Sequence, residues 1–395
     1  MSRGPTPARL VGVDVARCLA LLGMVATHVL DARTADGSLA AAQWLAGGRA
    51  SALFAVLAGL SIALVTGRRE PLRGRERVRA SVGLVVRALL VAGVGLALGV
   101  LDSGIAVILT YYGLLFVLAL PFLGLRAPVL AGLAATWTVL APVVSHLVRP
   151  RLPERGFDSP TAGRLLDDPG GMLAELTFTG YYPAVPWLAY LLVGLALGRL
   201  DLASRRTAAL LASAGAVLAV AATASSQALT ALPPVQAALL TDPPARERDV
   251  EALLDRIAGG LPGTTPTGGA WEWLLVVAPH TATPFDLVQT IGSALLVLGT
   301  ALLVVGWMGP TATRATAVLL GAGTMTLTLY ALHVTVVGTE VVPQELRESY
   351  LFHVLLLLGV GLVLTGAGVR GPLELVVRTV VRAVAGRRRG PRLPA

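Results

Sequence analysis

The sequence contains one cysteine, Cys18, and neither lysine nor asparagine. A single cysteine excludes an internal disulfide framework and a cysteine metal cluster. Because asparagine is absent, the chain has no N-glycosylation sequon. Because lysine is absent, all 32 basic side chains are arginines. The chain therefore uses a guanidinium group wherever it needs a fixed positive charge.

Charged residues are also scarce, at 14% of the 395 residues, whereas apolar residues make up 55% and the mean hydropathy is +0.73. A soluble protein of this composition would have too little polar surface to cover itself. The first apolar stretch carries Asp14 and Arg17 with no small-residue cleavage site after it, so we do not expect a removable signal peptide. The composition predicts an integral membrane protein, and its Ala, Arg, Gly and Val bias is typical of a GC-rich bacterial genome.

Apolar runs long enough to cross about 30 Å of hydrocarbon recur along the chain. Together they predict an all-α, polytopic membrane bundle of about ten transmembrane helices. We place these spans near residues 12–30, 49–67, 82–101, 105–124, 129–148, 182–200, 206–226, 285–307, 315–338 and 350–369.

The arginines between the spans predict the orientation of the bundle. They collect after the second and sixth predicted spans and in the C-terminal tail, and under alternation these three places share one side. The positive-inside rule makes that side cytoplasmic, so both termini are predicted to be cytoplasmic. This orientation also accounts for the net charge of +9, so we do not expect nucleic-acid binding. The residues concerned are Arg68, Arg69, Arg73, Arg75, Arg77, Arg79, Arg199, Arg205, Arg206, Arg387, Arg388 and Arg389.

We divide the chain into a transmembrane domain, residues 1–370, and a basic cytoplasmic tail, residues 371–395. Two outward loops are long, at about 150–181 and 227–284. Within the second loop, the run from Arg246 to Ile257 has apolar positions at helical spacing, which predicts a short surface helix. The tail alternates apolar and arginine positions and predicts an interfacial amphipathic helix held by anionic membrane lipid.

Arg17 and His28 lie on the first predicted span with ten residues between them. At about 100° per residue, the eleven-residue step leaves the two side chains within about 20° of each other around the helix. The same step rises about 16 Å, which places the guanidinium near the inner side and the imidazole near the outer side. Ionisable groups inside a bilayer need a partner or a water-filled cavity. We therefore expect the Arg17 and His28 side chains to line one continuous passage.

All five histidines fall on the predicted outer side of the membrane. An imidazole takes and returns a proton near neutral pH, so a cluster there suits general-base chemistry. For His146 and His353 an interfacial or structural role is the favoured interpretation. His28 and His333 lie deeper, where an idle imidazole costs more, and His280 precedes the eighth span.

Five segments of the chain carry a further pattern: Val13–Arg17 leading to Met24 and His28, Gly48–Phe54 with Leu57–Gly59, Thr179–Pro183 with Pro186 and Trp187, Pro279–Asp286, and Leu327–His333. In these segments the chain resembles bacterial membrane proteins with a heparan-alpha-glucosaminide N-acetyltransferase catalytic-like domain. The spacing of Arg17 and His28 is also similar to the Arg-x10-His signature of acyltransferase family 3, a group of membrane O-acyltransferases in the same superfamily.

The resemblance implies an integral membrane acyltransferase of the bacterial plasma membrane. Such an enzyme takes an acyl group, typically acetyl, from cytosolic acyl-CoA and delivers it to a hydroxyl or amine outside the membrane. The lysosomal enzyme of this superfamily has an essential histidine after its first helix, whereas residues 31–48 contain none here, and it has asparagine where this chain has His28. The Arg-x10-His members are therefore the better mechanistic guide, and the acceptor stays open between an extracytoplasmic glycan of the cell envelope and a small molecule.

Within this interpretation His28 is the predicted catalytic base, which removes a proton from the acceptor as it attacks the acyl carbonyl; a covalent acyl-histidine is the alternative. Arg17 is predicted to guide the pantetheine or pyrophosphate of acyl-CoA, because a guanidinium binds phosphate with a planar fork. Asp14 takes part in catalysis, forms an intrahelical ion pair with Arg17, or does both. Arg87 either binds phosphate or extends to the membrane surface.

A second group of residues is predicted to bind the acceptor. Arg49 and Ser51 begin the second span, where they hold the acceptor or the oxyanion, with interfacial anchoring as the alternative. His280 and Asp286 flank a Pro-rich turn, where they bind a sugar or cap the eighth helix. Tyr330 and His333 are three residues apart, share a helix face and are candidates for the wall of the outer cavity.

We predict no metal site, because the histidines lack the paired short spacing typical of zinc ligands. The oligomeric state is open. The main rival function is a multi-span transporter or exporter of a cell-envelope precursor, which should show two related halves with interrupted helices. The chain shows no such symmetry. A non-catalytic scaffold or sensor leaves the shared face of Arg17 and His28 unexplained.

Overall fold

The computed structural model describes residues 10–156, 159–241 and 249–386. This part of the chain is helical and contains no β-strand, which confirms the all-α class. Its helices, in chain order, are α1 (Val11–Val29), α2 (Ala41–Ala46), α3 (Arg49–Val65), α4 (Gly74–Leu98), α5 (Leu109–Leu118), α6 (Ala127–Val148), α7 (Ala162–Asp167), α8 (Pro169–Ala174), α9 (Ala184–Leu197), α10 (Arg205–Thr230), α11 (Pro233–Leu240), α12 (Val250–Gly259), α13 (Pro284–Trp307), α14 (Pro310–Leu319), α15 (Thr326–Val337), α16 (Gln344–Arg347), α17 (Tyr350–Gly366) and α18 (Pro372–Ala385).

Several of these helices are long and apolar enough to cross a membrane. In the described ranges there are six such segments: Val11–Val29, Ala41–Val65, Gly74–Leu98, Ala127–Arg151, Arg205–Thr230 and Pro284–Trp307. A pair bent by 52°, Pro169–Thr179 with Ala184–Leu197, raises the number to seven. The other predicted spans contain the shorter apolar helices α5, α15 and α17. A 3₁₀ turn at Leu120–Gly124 follows α5, and another at Gly321–Thr324 precedes α15, so these two apolar runs are interrupted. The count of ten stays a prediction.

The helices divide into central and peripheral ones. The membrane-spanning stretch of α1 is 61% buried inside the protein and that of Ala41–Val65, which contains α3, is 67% buried, whereas that of α10 is 22% buried. α10 packs along α13 and leaves Leu210, Val217 and Val220 largely exposed. An apolar surface of this kind on a long helix is typical of contact with lipid.

Arg199, which follows α9, joins three connections at one end of the bundle. Its guanidinium donates to the carbonyl oxygen of Arg68 at 2.7 Å and to that of Leu123 at 2.8 Å. Two of the three predicted arginine groups, after the second and the sixth predicted spans, therefore lie at the same end. The third, Arg387–Arg389, lies outside the described residues. We call this the arginine end, and the opposite end, which holds His28, the histidine end.

The long loop after α10 folds into a cap with its own small apolar core. The predicted surface helix is confirmed as α12, whose buried residues Leu253 and Ile257 face Leu239 and Trp273. The start of the predicted run, residues 246–248, lies outside the described residues. An ion pair of 2.7 Å between Asp255 and Arg33 ties the cap to the loop after α1.

The tail helix α18 is confirmed as a helix, and it packs on the bundle as well as presenting arginines. Glu374 accepts hydrogen bonds from the backbone N–H groups of Leu327 and Thr328 at 2.8 and 3.2 Å. These are orphan donors of the first turn of α15, so the carboxylate caps that helix. On α18 itself, the side chain of Val377 is buried.

Candidate active site

The first polar centre on α1 is built around Arg17. Its Nη1 donates to Oδ1 of Asp14 at 2.9 Å, and its Nη2 donates to Oγ of Ser61 on α3 at 2.7 Å. Ser61 in turn donates to the carbonyl oxygen of Leu57. The intrahelical ion pair is therefore formed, and Ser61, which no sequence pattern indicates, fixes the other arm of the guanidinium.

A cavity of about 770 Å³ lies beside this ion pair at the arginine end. The charged side chains that line it are four arginines and two carboxylates, so positive charge is in excess. Such a lining favours an anionic ligand, and guanidinium groups suit phosphate in particular. The charged lining residues are Arg17, Arg87, Arg370, Arg378, Asp14 and Glu374.

A second cavity of about 670 Å³ adjoins the first. Both are lined by Arg87 and Arg378, and the second adds Arg79, Arg382 and Glu76. We call the two together the basic cleft. Arg87 therefore lies at the junction of two arginine-rich cavities, where its guanidinium can meet an anionic ligand.

Other residues that line the first cavity are apolar and aromatic. Leu57, Phe54 and Leu109 line it together with Tyr112, whose ring is parallel to that of Phe54 at a centroid distance of 5.7 Å. The lining includes Arg17 but neither His28 nor His333. This cavity therefore reaches the Arg17 centre and not the histidines, and the continuous passage expected from the shared helix face stays a prediction.

The second polar centre is a chain of three histidines from three helices. Nδ1 of His28 lies 3.1 Å from Nε2 of His333, and Nδ1 of His333 lies 3.2 Å from Nδ1 of His353. Nε2 of His353 lies 2.9 Å from the carbonyl oxygen of Arg347. We call this row, from α1 through α15 to the start of α17, the histidine chain.

His353 is the member of this chain that the sequence pattern did not single out. Its interfacial position at the start of a predicted span favoured a structural role, yet its side chain is fully buried and bonded to His333. It lies 20 residues from His333 on a different helix, so no local periodicity links the two. Only the packing of α15 against α17 brings them together.

His280 lies in the loop before α13, next to the histidine end. The backbone of His280 and of Ala282 has φ of +59° and +52°, a left-handed conformation uncommon outside glycine. Asp286 stabilises this loop, because its Oδ2 accepts a hydrogen bond from the N–H of Ala282 at 3.0 Å. Thr283, rather than either predicted residue, caps α13 by accepting from the N–H of Asp286.

The ring of His280 packs against two tyrosines. Its centroid lies 4.7 Å from that of Tyr181 and 5.7 Å from that of Tyr182, and the guanidinium of Arg155 lies 5.0 Å from the Tyr181 ring. Burial, with smaller contributions from the charges of His28 and Arg155, lowers the pKa of His280 to about 3. His280 is therefore neutral near pH 7. Its Nδ1 has no hydrogen-bond partner among the described residues.

The remaining predicted acceptor residues make local contacts. Arg49 donates to the carbonyl oxygen of Trp44 and lies 6.0 Å from the Trp44 ring centroid. Ser51 donates to the carbonyl oxygen of Gly48 at 3.0 Å, within its own helix start. The Tyr330 hydroxyl accepts from the N–H of Ile108 at 3.4 Å. Of the six acceptor candidates, the structure joins His333 directly to His28.

Across the described ranges, no group of three or more His, Cys, Asp and Glu side chains could hold a metal ion. In the histidine chain five of the six ring nitrogens lie within hydrogen-bond distance of another ring nitrogen or of a carbonyl oxygen. This geometry suits proton sharing between rings.

Comparison with known families identifies the chain. Residues 9–231 match the family described as heparan-alpha-glucosaminide N-acetyltransferase, catalytic. The chain belongs to this family. Membership implies acetyltransferase activity, and the matched region contains Arg17, His28 and Arg87 but ends before α15 and α17. No curated protein gives a significant match to the chain.

Proposed function

We propose that this protein is a transmembrane acyltransferase of the bacterial plasma membrane that moves an acetyl group from cytosolic acetyl-CoA to an extracytoplasmic hydroxyl or amine. The observation that carries the proposal is the pair of centres on α1, a basic cleft at Arg17 and a histidine chain at His28. In this proposal the arginine end faces the cytoplasm. The shorter helices α5, α9, α15 and α17 complete a bundle of about ten spans with both termini inside.

The basic cleft is the proposed donor site. The phosphates of CoA carry several negative charges, and the cleft offers Arg17, Arg87 and Arg378 to receive them. The apolar wall at Leu57 and Phe54 suits the pantetheine arm, which then points toward Tyr112 and the histidine end. Asp14 positions the Arg17 fork through their ion pair of 2.9 Å.

The proposed reaction is a direct transfer. His28 accepts the proton of the acceptor O–H or N–H as the acceptor oxygen or nitrogen bonds to the thioester carbonyl carbon. The C–S bond then breaks, the thiolate of CoA leaves, and the proton on His28 is returned to that thiolate or to water. To react, the acyl arm must extend from the cleft past Phe54 and Tyr112, which line it, toward His28.

The acceptor side comprises the His280 loop and the residues around it. Asp286 stabilises the left-handed turn that carries His280, while Arg49, Ser51, Tyr330 and His333 surround the same end of the bundle. The family name specifies a glucosaminide, so an amino sugar of the cell envelope is the first acceptor to test.

The experiment is transfer of label from radioactive acetyl-CoA, catalysed by the purified protein in detergent or lipid nanodiscs. Glucosamine and an extract of envelope glycans serve as acceptors. We expect His28→Ala to abolish transfer while acetyl-CoA still binds, and Arg17→Ala to weaken acetyl-CoA binding. The matched controls are His146→Ala, which lies outside the histidine chain, and Arg206→Gln, which is exposed at the start of α10.

Normal transfer by a folded His28→Ala protein would remove His28 from the mechanism. Label that stays on a peptide containing His28 after an acid quench without acceptor would support the acyl-histidine route instead. Movement of an envelope precursor across the membrane without label transfer would favour the exporter.

A further inference from the structure

The histidine chain ends on a group whose role in hydrogen bonding is fixed. The carbonyl oxygen of Arg347 can only accept, so Nε2 of His353, 2.9 Å away, must carry a proton. The position of His353 is also fixed. Its side chain is fully buried, its backbone N–H donates to the carbonyl oxygen of Ser349, and the neighbouring Tyr350 hydroxyl donates to Leu22 on α1 at 3.4 Å.

From this fixed end the proton positions follow ring by ring. In a neutral imidazole one nitrogen donates and the other accepts. With Nε2 of His353 protonated, its Nδ1 accepts, and the facing Nδ1 of His333 must donate. Nε2 of His333 is then an acceptor, so Nδ1 of His28 must donate to it.

We infer that the Arg347 carbonyl, acting through His353 and His333, holds His28 in the Nδ1–H form and leaves its Nε2 bare as the proton acceptor. His333 and His353 are thus positioning residues rather than catalytic ones. This assignment of roles rests on the proposed function, in which His28 is the base. The tautomer itself is a property of the resting protein and can be measured separately.

The geometry of the first link supports this assignment. The rings of His28 and His333 are nearly parallel, 8° apart, with centroids 5.3 Å apart and facing nitrogens 3.1 Å apart. The centroid distance exceeds the nitrogen distance by about twice the distance from an imidazole centre to its own nitrogen. The two nitrogens therefore lie on the line between the ring centres, and the rings meet edge to edge in nearly one plane. An N–H of His28 therefore points along the lone pair of His333, which is the arrangement of a well-aligned hydrogen bond.

The second nitrogen of His28 is available. The side chain of His28 is only partly buried, and no atom of the described residues hydrogen-bonds its Nε2. When Nε2 takes a proton, the cation can be shared, because the bridging protons can each move one ring toward His353. The number of protons in the chain is unchanged by these shifts, and the charge ends beside the Arg347 carbonyl.

The direct test is nitrogen NMR of ¹⁵N-histidine-labelled protein, since ring nitrogen shifts distinguish the two tautomers. The His28 signals are assigned by their loss in His28→Ala. We expect the Nδ1–H form in the wild type, whereas a free neutral imidazole favours Nε2–H. In His353→Phe, which removes the fixed end, we expect the Nε2–H form of His28 to appear. An Nε2–H form in the wild type, or an unchanged tautomer in folded His353→Phe, would overturn the inference.

A conservative variant keeps the test valid if the large change unfolds the protein. In His333→Gln the amide oxygen can accept from His28 and the amide nitrogen can donate to His353, so we expect the His28 tautomer to persist. In His333→Leu the side chain can neither accept from His28 nor donate to His353, so we expect the Nε2–H form of His28 to appear. Equal tautomer populations in these two variants would also contradict the inference.

Kinetics separate this inference from the proposed function. An imidazole held in the wrong tautomer loses most of its general-base contribution, so we expect His333→Leu to lower kcat about 100-fold or more with little change in KM for acetyl-CoA. His333→Gln should retain most of the activity. If the tautomers are as inferred and no transfer occurs, the proposed function fails alone; if transfer needs His28 and the tautomers differ, the inference fails alone.

Discussion

A single added methyl group at Gly323 should disturb the proposed donor site. Gly323 lies in the 3₁₀ turn between α14 and α15, which rests against α1, and it also lines the first cavity. A Cβ placed there would lie 1.8 Å from the carbonyl oxygen of Asp14 and 3.1 Å from the backbone nitrogen of Cys18. Its φ is outside the left-handed region, so Gly323→Ala perturbs this contact without imposing a forbidden backbone conformation.

The size of the effect follows from these distances. Cβ contacts under 3.0 Å are essentially unknown, so α1 and the turn must move apart by about 1.2 Å. Overpacking of this kind costs about 1–3 kcal/mol of stability. Because the displaced residue is Asp14, the ion pair with Arg17 moves as well, and a misplacement of about 1 Å near a reacting complex costs about 100-fold in rate.

The assay is thermal unfolding together with acetyl-transfer kinetics, and the matched control is Gly359→Ala. Gly359 lies on α17 with no atom within 4 Å of an added Cβ. We expect a lower unfolding temperature and weaker acetyl-CoA use for Gly323→Ala, and no loss of either for the control. If both variants unfold and react alike, the close approach of the turn to α1 does not position the proposed donor site.

Further changes test the other contacts. Arg17→Lys keeps the charge but loses the fork that reaches Asp14 and Ser61, so KM for acetyl-CoA should rise about tenfold, against no change for Arg206→Lys; an unchanged KM would argue against a donor role. Glu374→Ala removes the acceptor that caps α15 and should lower stability by about 1 kcal/mol in thermal unfolding, and an unaltered melting curve would contradict this. The pKa of His280 is about 3 in the folded protein against about 6.5 when unfolded, so the unfolded chain binds the extra proton and stability falls as pH drops from about 6.5 toward 3. His280→Gln should lose part of this pH dependence when unfolding is compared at pH 7.5 and 5.0; an identical dependence would refute it.

The helices follow from local features that the sequence displays. Apolar runs place α1, α3, α6, α10 and α13 close to their predicted bounds, because each segment is apolar enough to partition into lipid or into the protein core. α4 begins at Gly74, eight residues before its predicted start at 82. The spacing of apolar residues likewise predicted α12 and α18. The breaks in the helices at residues 119–124 and 320–325 were not predicted. The apolar content of a segment carries no information on where the chain turns to approach another helix.

The site shows the same division. The ion pair of Asp14 with Arg17 and the shared face of Arg17 and His28 depend on helix geometry alone, which a sequence specifies when it specifies a helix. The aromatic pair Phe54 and Tyr112, which lines the first cavity, joins two helices that are far apart in the chain. No periodicity within either helix records that contact.

The sequence by itself determined that this chain is a helical membrane protein, where its main helices lie, and that α1 carries an arginine and a histidine on one face. Only the tertiary structure decided that His353 completes the histidine chain, that Ser61 holds Arg17, and that α18 closes the basic cleft. The physical reason is range. Helix formation and hydrophobic partition act on neighbouring residues, whereas hydrogen-bonded chains between helices depend on how distant segments pack.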